Sequence, residues 1–252
     1  MNLGLDGKIF VVGGASKGLG RGVAEALLAE GASVLLVSRD PAPAAAELGD
    51  RAIPCSADLE TVEGIEPVVR AAKGLGGLDG MLVNSGGPPP GDVLGTEDER
   101  WDLAFRLLVG NPIRLIRTLR PELREGSSIL FVTSSSVRVP IPGLATSKVL
   151  RPGVAALVNL LAVELGPSIR VNSIAPGKID TARSRSVDER RAAAEDVPIE
   201  EVRARSSSSI PLGRYGDAAE FGRVAAFLLS PAASYVSGAA IQVDGGYVTA
   251  TP

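Results

Sequence analysis

The sequence predicts an α/β protein built on a doubly wound, seven-stranded parallel sheet with helices on both faces. Two observations along the 252 residues support this fold class. Short, continuous apolar runs alternate regularly with longer helical segments, and a glycine-rich turn joins the first run to the first helix. Parallel strands need crossover connections, and right-handed crossovers on either side of the first strand place helices on both faces. No internal repeat or long linker divides the chain, so we expect a single domain over residues 1–252.

The predicted strands are continuous apolar runs, which indicates strands that are buried on both faces. They are residues 9–12, 34–37, 52–55, 81–83, 129–132, 169–174 and 239–243. The third of these runs is the weakest strand signal. Together they account for the seven strands of the predicted sheet.

The predicted helices occupy the segments between the strands. They are residues 18–30, 41–48, 62–75, 101–119, 144–165 and 217–229. Gly31 ends the first helix, and Pro112 is expected to kink or interrupt the fourth because proline lacks a backbone N–H. Residues 180–210 lack core periodicity and are rich in charge and serine. They form either a solvated insertion or a lid over the carboxyl ends of the strands.

The composition excludes several kinds of chemistry. The chain has no histidine, which excludes Ser-His-Asp and Cys-His catalysis and imidazole metal sites. Its one cysteine, Cys55, excludes an internal disulfide and a cysteine-ligated metal cluster. A net charge of −3 gives no basic field for nucleic acid or anionic membranes, and the apolar runs are too short to span a membrane. The start of the chain lacks the layout of a signal peptide, so we expect a cytoplasmic protein.

The glycine-rich turn after the first strand predicts dinucleotide binding in a Rossmann fold. Glycines let the backbone approach a pyrophosphate, which then rests on the N-terminus of the following helix. The alternative is a tight turn without a ligand, because the spacing is G-x-x-x-G-x-G and not the general fingerprint. The candidate cofactor-binding residues of this turn are Gly14, Ser16, Lys17, Gly18, Leu19 and Gly20.

With this turn, four further segments resemble the short-chain dehydrogenase/reductase family over nearly the whole chain. They are Asn-Ser-Gly-Gly at 84–87, Val-Asn-Ser-Ile-Ala-Pro-Gly at 171–177, and the segments 211–217 and 237–246. The last two are similar to the 3-oxoacyl-carrier-protein-reductase-like branch, and Gly13 stands where the family commonly has threonine. The resemblance implies a homotetramer that acts on a small carbonyl or alcohol substrate. It also implies cofactor contacts at Asn84, Ser85, Gly86, Pro176, Gly177 and Ile179.

Charge at the end of the second strand favours NADP(H) over NAD(H). Ser38 and Arg39 stand where an NAD-preferring site has an acidic residue, and Lys17 lies in the glycine turn. The alternative is that Asp40 neutralises a solvated Arg39, which leaves NAD(H) possible. By the resemblance, Asp58 and Leu59 contact the adenine. Asp58 alternatively caps a helix that begins near Thr61.

The resemblance also implies a catalytic serine, tyrosine, lysine and asparagine, and this tetrad is degenerate here. Ser134 falls at the serine position, with Ser135 and Ser136 as near alternatives, and Lys148 at the lysine position. Leu144 stands where the tyrosine is expected. Ser134 and Lys148 are 14 positions apart (148 − 134), about three fewer than in the family.

The asparagine and tyrosine positions leave two functional hypotheses. Leu108 stands where the asparagine is expected, with Asn111 almost one turn further on. The three tyrosines, Tyr215, Tyr235 and Tyr247, all lie in C-terminal segments. The first hypothesis is an NADP(H)-dependent oxidoreductase with a rearranged proton donor. The second is an NADP(H)-binding protein with little or no redox activity, serving in sensing or assembly.

Overall fold

The computed structural model describes residues 2–138 and 143–249, and these form a parallel sheet that confirms the predicted fold class. The strand order is β3-β2-β1-β4-β5-β6-β7. The strands are β1 (Ile9–Gly13), β2 (Ser33–Ser38), β3 (Ala52–Ser56), β4 (Leu78–Val83), β5 (Leu123–Val132), β6 (Ile169–Pro176) and β7 (Ala240–Val243). The order reverses between β1 and β4, which is where ligands bind in open sheets of this type.

The helices cover both faces of the sheet. They are α1 (Gly18–Ala29), α2 (Ala42–Leu48), α3 (Ile65–Gly74), α4 (Asp98–Phe105), α5 (Asn111–Leu119), α6 (Ala145–Leu165), α7 (Ala182–Glu195), α8 (Ile199–Ser208) and α9 (Ala218–Leu229). Val11 packs into a core formed with α3, α5 and α6, whereas its neighbour Val12 packs into a second core formed with α1 and α9. Because both faces of each central strand are buried, the strands read as continuous apolar runs. Within the described ranges, none of the helices combines the length and apolarity needed to cross a membrane.

The predicted helix 101–119 is interrupted, as expected, immediately before Pro112. A π-helical turn, Arg106–Gly110, separates α4 from α5. Pro112 is the second residue of α5, and because the backbone before it is helical, the π-helical turn accommodates its missing N–H. The interruption therefore falls beside the carboxyl end of β4, on the site side of the sheet.

Residues 180–210 are helical despite their lack of apolar periodicity. They form α7 and α8, which contact each other through a polar centre. Asp188 is buried there and accepts hydrogen bonds from Arg203 Nη1 at 3.1 Å and from Tyr215 Oη at 3.0 Å. The Arg203 guanidinium lies 4.3 Å from the centroid of the Tyr215 ring. An ion pair takes the place of an apolar stripe, which explains why the periodicity gave no helix signal.

Helices α1 and α9 cross with their backbones in contact. A Cβ atom added to Gly22 would overlap the backbone carbonyl of Ala218, and one added to Gly222 would overlap the carbonyl of Gly22. Both glycines are buried. The crossing holds the N-terminal helix of the glycine turn against the sheet.

Replacing Gly22 with alanine is therefore expected to destabilise the fold. Overpacking of this kind costs about 1–3 kcal/mol of unfolding free energy, which chemical denaturation monitored by circular dichroism would measure. Gly153→Ala is the matched control, because Gly153 is an exposed residue of α6 with no atom within 4 Å of an added Cβ. It is expected to stabilise the protein by about 0.4–1 kcal/mol. Equal stability of the two variants would contradict the close crossing.

Candidate functional site

The candidate site lies at the carboxyl ends of four neighbouring strands. The glycine turn follows β1, Asn84 follows β4, Ser134 lies just beyond β5, and Gly177 follows β6. Because the strands are parallel and adjacent, these segments, far apart in sequence, meet along one edge of the sheet.

The glycine turn has the backbone geometry of a cradle. Gly14 and Gly18 have φ angles of +63° and +59°, in the left-handed region that favours glycine. A Cβ atom on Gly20 would overlap the carbonyl of Gly14, so the turn has no space for a side chain there. Ser16 is half-buried within the turn, and Leu19 packs against the core below it. No side chain caps the N-terminus of α1, which leaves its first N–H groups available to an anion.

Asn84 connects the ends of β1 and β4. Its Nδ2 donates a hydrogen bond to the Gly13 carbonyl at 3.0 Å. The Asn84 backbone also lies close to Gly13, because a Cβ atom added there would be 2.5 Å from the Asn84 carbonyl oxygen. This close contact explains why position 13 is glycine. Ser85 Oγ donates to the Leu107 carbonyl at 2.9 Å, which ties the same loop to the π-helical turn, and Gly86 follows with a φ of +89°.

Ser38 and the two nearby cations lie on one side of this cradle. The Ser38 hydroxyl, at the end of β2, is buried without a hydrogen-bond partner in the described part of the chain. Lys17 and Arg39 are exposed, and neither forms an ion pair within residues 2–138 and 143–249. The side chain of Asp40 therefore does not neutralise Arg39 there.

Asp58 closes a turn after β3. Its carboxylate accepts a hydrogen bond from the Glu60 backbone N–H at 3.0 Å. The helix that follows begins at Ile65 and not near Thr61, so the alternative role of Asp58 as its cap does not hold. Leu59 is positioned differently, because it lines a cavity beside β1 and β4.

Two adjoining cavities occupy the site. The first is lined by residues that include Val37, Leu59 and Asn84. The second continues past Asn84 and is lined by residues that include Gly86 and Arg151. The linings of the two cavities share Val83, Asn84, Ser85 and Pro112, so the cavities adjoin at the end of β4.

The residues considered for the asparagine role lie in different cavities. Leu108 lines the second cavity, whereas Asn111 lines the first. The Asn111 amide is buried and donates to the Leu59 carbonyl at 2.9 Å. This bond holds α5 against the loop after β3, which is a structural role.

Of the three consecutive serines, Ser134 is the one that is partly exposed. Its Oγ accepts a hydrogen bond from the backbone N–H of Ser136 at 3.1 Å. Ser135 and Ser136 are buried, and Ser136 Oγ lies 3.0 Å from Ser147 Oγ. Ser134 is therefore the serine of this turn that is open to solvent, although it lines neither cavity.

Lys148 and Arg151 lie one turn apart on α6 but face different surroundings. Lys148 Nζ donates to the Val137 carbonyl at 3.2 Å and lines neither cavity. Arg151 lines the second cavity and donates through Nε to Ser147 Oγ at 3.2 Å and through Nη1 to the Val132 carbonyl at 2.7 Å. Arg151 is not among the site residues predicted from the sequence, although the short spacing between Ser134 and Lys148 was a signal.

The charge of Arg151 is not balanced by a carboxylate in the described structure. Burial, together with the positive charge of Arg183, lowers the pKa of Arg151 to about 10. Arg183, in α7, donates to the Pro88 carbonyl at 3.2 Å, so it approaches the loop after β4 from the other side. The site is therefore strongly electropositive, which favours anionic or electron-rich ligands.

The segment after β6 is partly structural. Gly177 is required because an added Cβ would lie 2.5 Å from Asp244 Cβ, and Ile179 is buried. Thr181, which the sequence analysis also missed, lies 3.7 Å from the position of a Cβ on Gly18 and caps α7. The insertion 180–210 thus begins directly at the glycine turn. Pro176 ends β6 beside it.

No tyrosine lines either cavity in the described ranges. Tyr215 is bonded to Asp188, Tyr247 lies beneath Lys178 Nζ at 5.8 Å, and Tyr235 is fully exposed. The same ranges contain no cluster of carboxylates and thiols arranged to hold a metal ion. The polar side chains that line the two cavities are those of Asn84, Ser85, Asn111 and Arg151.

Comparisons with known proteins agree with this geometry. A family model described as Enoyl-(Acyl carrier protein) reductase matches residues 14–248. An uncharacterised oxidoreductase of Mycobacterium tuberculosis is 34% identical over 252 residues, with coverage of 96% of this chain and 92% of that protein. A short-chain dehydrogenase/reductase of Arabidopsis thaliana is 29% identical over 250 residues, with coverage of 96% and 95%. L-sorbose reductase from Gluconobacter frateurii, solved with NADPH and L-sorbose, is 28% identical with a TM-score of 0.94 and covers 100% of both chains.

Replacing Asn84 with alanine is expected to loosen the cradle. The Gly13 carbonyl would lose its side-chain donor, at a cost of about 1 kcal/mol of unfolding free energy, and NADPH would bind more weakly. Denaturant unfolding and fluorescence titration measure the two effects. Asn159→Ala is the matched control, because Asn159 is exposed on α6 and has no hydrogen-bond partner in the described part. An Asn84 variant that behaves like this control would contradict the role of the amide.

Proposed function

Since the chain belongs to the short-chain dehydrogenase/reductase family of oxidoreductases, we propose that it is an NADP(H)-dependent enzyme that interconverts a carbonyl and an alcohol by hydride transfer. The observation that carries this proposal is the meeting of the glycine cradle, Asn84 and Ser134 at adjacent strand ends. The 3-oxoacyl-carrier-protein-reductase-like branch remains our inference from the segments 211–217 and 237–246.

The cradle fits a dinucleotide. An added Cβ on Gly13 or Gly20 would collide with backbone atoms of Asn84 or Gly14, so only glycine permits the tight turn that a pyrophosphate site needs. Leu59 and Asn84 line the path of the nucleotide along the two cavities. The first N–H groups of α1 have no side-chain cap and are available to a phosphate.

Charge supports NADP(H) as the preferred form. Lys17 and Arg39 are exposed cations without ion-pair partners in residues 2–138 and 143–249, and Ser38 between them and the sheet has an unused hydroxyl. A 2′-phosphate would satisfy all three groups, whereas the ribose hydroxyl of NAD(H) needs no cation. NADPH in the related sorbose reductase agrees with this preference.

Bound NADPH supplies a hydride to the substrate carbon. The chain's own part is to orient the substrate and to stabilise the charge on its oxygen. Ser134 Oγ accepts from the Ser136 N–H, so its own hydrogen is free to be donated to the carbonyl oxygen. The substrate class remains a small carbonyl or alcohol, and L-sorbose, the ligand of the sorbose reductase, is one member to test.

Two further features of the enzyme are part of the proposal. Residues 180–210 act as a lid within a single domain, since they start at the glycine turn and Arg183 reaches the loop after β4. Self-association into a homotetramer is supported by the exposed apolar side chains of Val149, Leu160 and Val163 on α6.

The missing tyrosine favours a second candidate function. An NADP(H)-binding protein of this fold without efficient turnover would keep the cradle and lose the acid. Acid–base assistance contributes about 10²–10⁴-fold to rates, so its loss predicts slow turnover of ordinary ketones. The two candidates share cofactor binding and differ in catalysis.

We expect NADPH to bind at least about tenfold tighter than NADH, because Lys17 and Arg39 pair with the 2′-phosphate. Fluorescence titration of both cofactors measures the ratio. Lys17→Met and Arg39→Met should each reduce it, while Lys73→Met, an exposed control in α3, should not. Equal affinities of the unmodified protein for NADPH and NADH would contradict the proposed role of Lys17 and Arg39.

The decisive assay is NADPH oxidation with a panel of small carbonyl compounds that includes L-sorbose. Slow but saturable turnover that Ser134→Ala abolishes supports the enzyme. Tight NADPH binding with no turnover of any member supports the second candidate. Absence of NADPH binding contradicts both.

A further inference from the structure

Arg151 is the most unusual charged group of the described structure. Only 7% of this residue is exposed, and it forms no ion pair in the described ranges. An uncompensated guanidinium in the interior is strongly unfavourable unless a further interaction compensates it. Within the described ranges, the charged side chain that acts on Arg151 is Arg183, and its positive charge repels that of Arg151. This arrangement indicates that a ligand provides the missing compensation.

The position of Arg151 identifies which part of a ligand it meets. It shares the second cavity with Asn84, Ser85 and Gly86 at the end of β4. The first cavity begins at β2, where the cations for the 2′-phosphate lie, so the second cavity is at the opposite end of the nucleotide. Arg151 therefore lies at the end where hydride transfer takes place.

The hydrogen bonds around Arg151 have a fixed direction. A guanidinium only donates, so Ser147 Oγ accepts from Nε and must direct its own hydrogen away from Arg151. The nearest acceptor for the Ser147 hydrogen is Ser136 Oγ, at 3.0 Å. The backbone N–H of Ser136 in turn donates to Ser134 Oγ. The Ser147 hydrogen is thus directed away from the cation and towards Ser136 Oγ, and the hydroxyl hydrogen of Ser134 remains free to be donated.

We propose that Arg151, and not Lys148, supplies the positive charge of the reaction site, with Ser147 beside it in place of an acidic tyrosine. This inference rests on the proposed function. The substrate's carbonyl carbon accepts a hydride from the reduced cofactor, and its oxygen takes the electron pair of the C=O π bond. Arg151 and the hydroxyls stabilise that negative charge. The oxygen then takes a proton from water, leaving hydroxide and the oxidised cofactor, so no side chain has to act as a strong acid.

Spacing along the chain supports the same assignment independently. Ser134 and Arg151 are 17 positions apart (151 − 134), which restores the separation that was about three residues short for Lys148. Ser147 precedes Arg151 by four positions, the offset that Leu144 has from Lys148. Lys148 and Arg151 therefore lie one helical turn apart, and they differ in burial, because Arg151 is buried. Lys148 is partly exposed and satisfied by Val137.

The test compares Arg151→Met, Arg151→Lys, Ser147→Ala and Lys148→Met, with Arg117→Met as the exposed arginine control on α5. NADPH affinity is measured by fluorescence titration, and kcat and KM with the best substrate of the carbonyl panel. Arg151→Met is expected to lower kcat about 100-fold and to weaken NADPH binding about tenfold. Lys148→Met is expected to cause a smaller decrease in both kcat and NADPH affinity. Arg151→Lys should recover kcat to within about tenfold. A larger loss in Lys148→Met, or an Arg151→Met variant equal to the control, overturns the proposal.

The pH profile separates a role for charge from a merely structural one. In Arg151→Lys the alkaline loss of kcat should begin at a lower pH than in the unmodified enzyme, because a buried lysine loses its proton before an arginine does. Identical profiles would show that the charge has no part in the rate. If Arg151→Met does not fold, Arg151→Lys and Ser147→Ala carry the test, and unchanged kcat in Ser147→Ala overturns the proposal.

Failure of the proposed function would be recognised separately. If the unmodified protein binds NADPH but turns over no carbonyl, the proposed oxidoreductase function fails. The measurement of NADPH affinity in the variants still tests the role of Arg151. In that case an Arg151→Met variant with unchanged NADPH affinity overturns the role of Arg151. Affinity reduced about tenfold supports Arg151 as the residue that meets the reactive end of the cofactor.

Discussion

The close approach of the β1 and β4 ends is the constraint on which the site depends. The Asn84 amide bonds to the Gly13 carbonyl, and the Asn84 backbone leaves no space for a side chain at position 13. This contact lies where the strand order reverses, so it holds together two loops that diverge to opposite faces of the sheet. This contact fixes the positions of the glycine turn, of the two cavities and of the loop after β4 that Arg183 contacts.

A second constraint is electrostatic. Arg151 is buried without a carboxylate in the described ranges, and its pKa is lowered because the charged form is poorly solvated. A protein that needed only packing at this position would be more stable with an apolar side chain. In the proposed role of Arg151, cofactor and substrate provide the electron-rich partners that this charge lacks in the free protein.

Elements with a strong local signal could be predicted from the sequence. The seven strands appeared as apolar runs because both faces of the sheet are covered, and Pro112 marked the interruption because proline cannot donate a backbone hydrogen bond. Residues 180–210 could not be recognised as helices, because the bond between Asp188 and Arg203 replaces the apolar stripe on which periodicity depends. The same limit applied to Arg151, since an arginine in a sequence indicates a surface far more often than a core.

The sequence by itself determined the fold class, the glycine cradle and its place after β1, because these follow from local patterns of glycine and apolar residues. Only the tertiary structure decided which polar groups meet at the end of β5. Ser134, Ser147 and Arg151 share one hydrogen-bonded network, while Lys148, one turn away, bonds outside the cavities. Lys148 and Arg151 are only three residues apart, but of the two only Arg151 lines the second cavity. Burial and donor geometry, which only the folded chain has, separate the two cations.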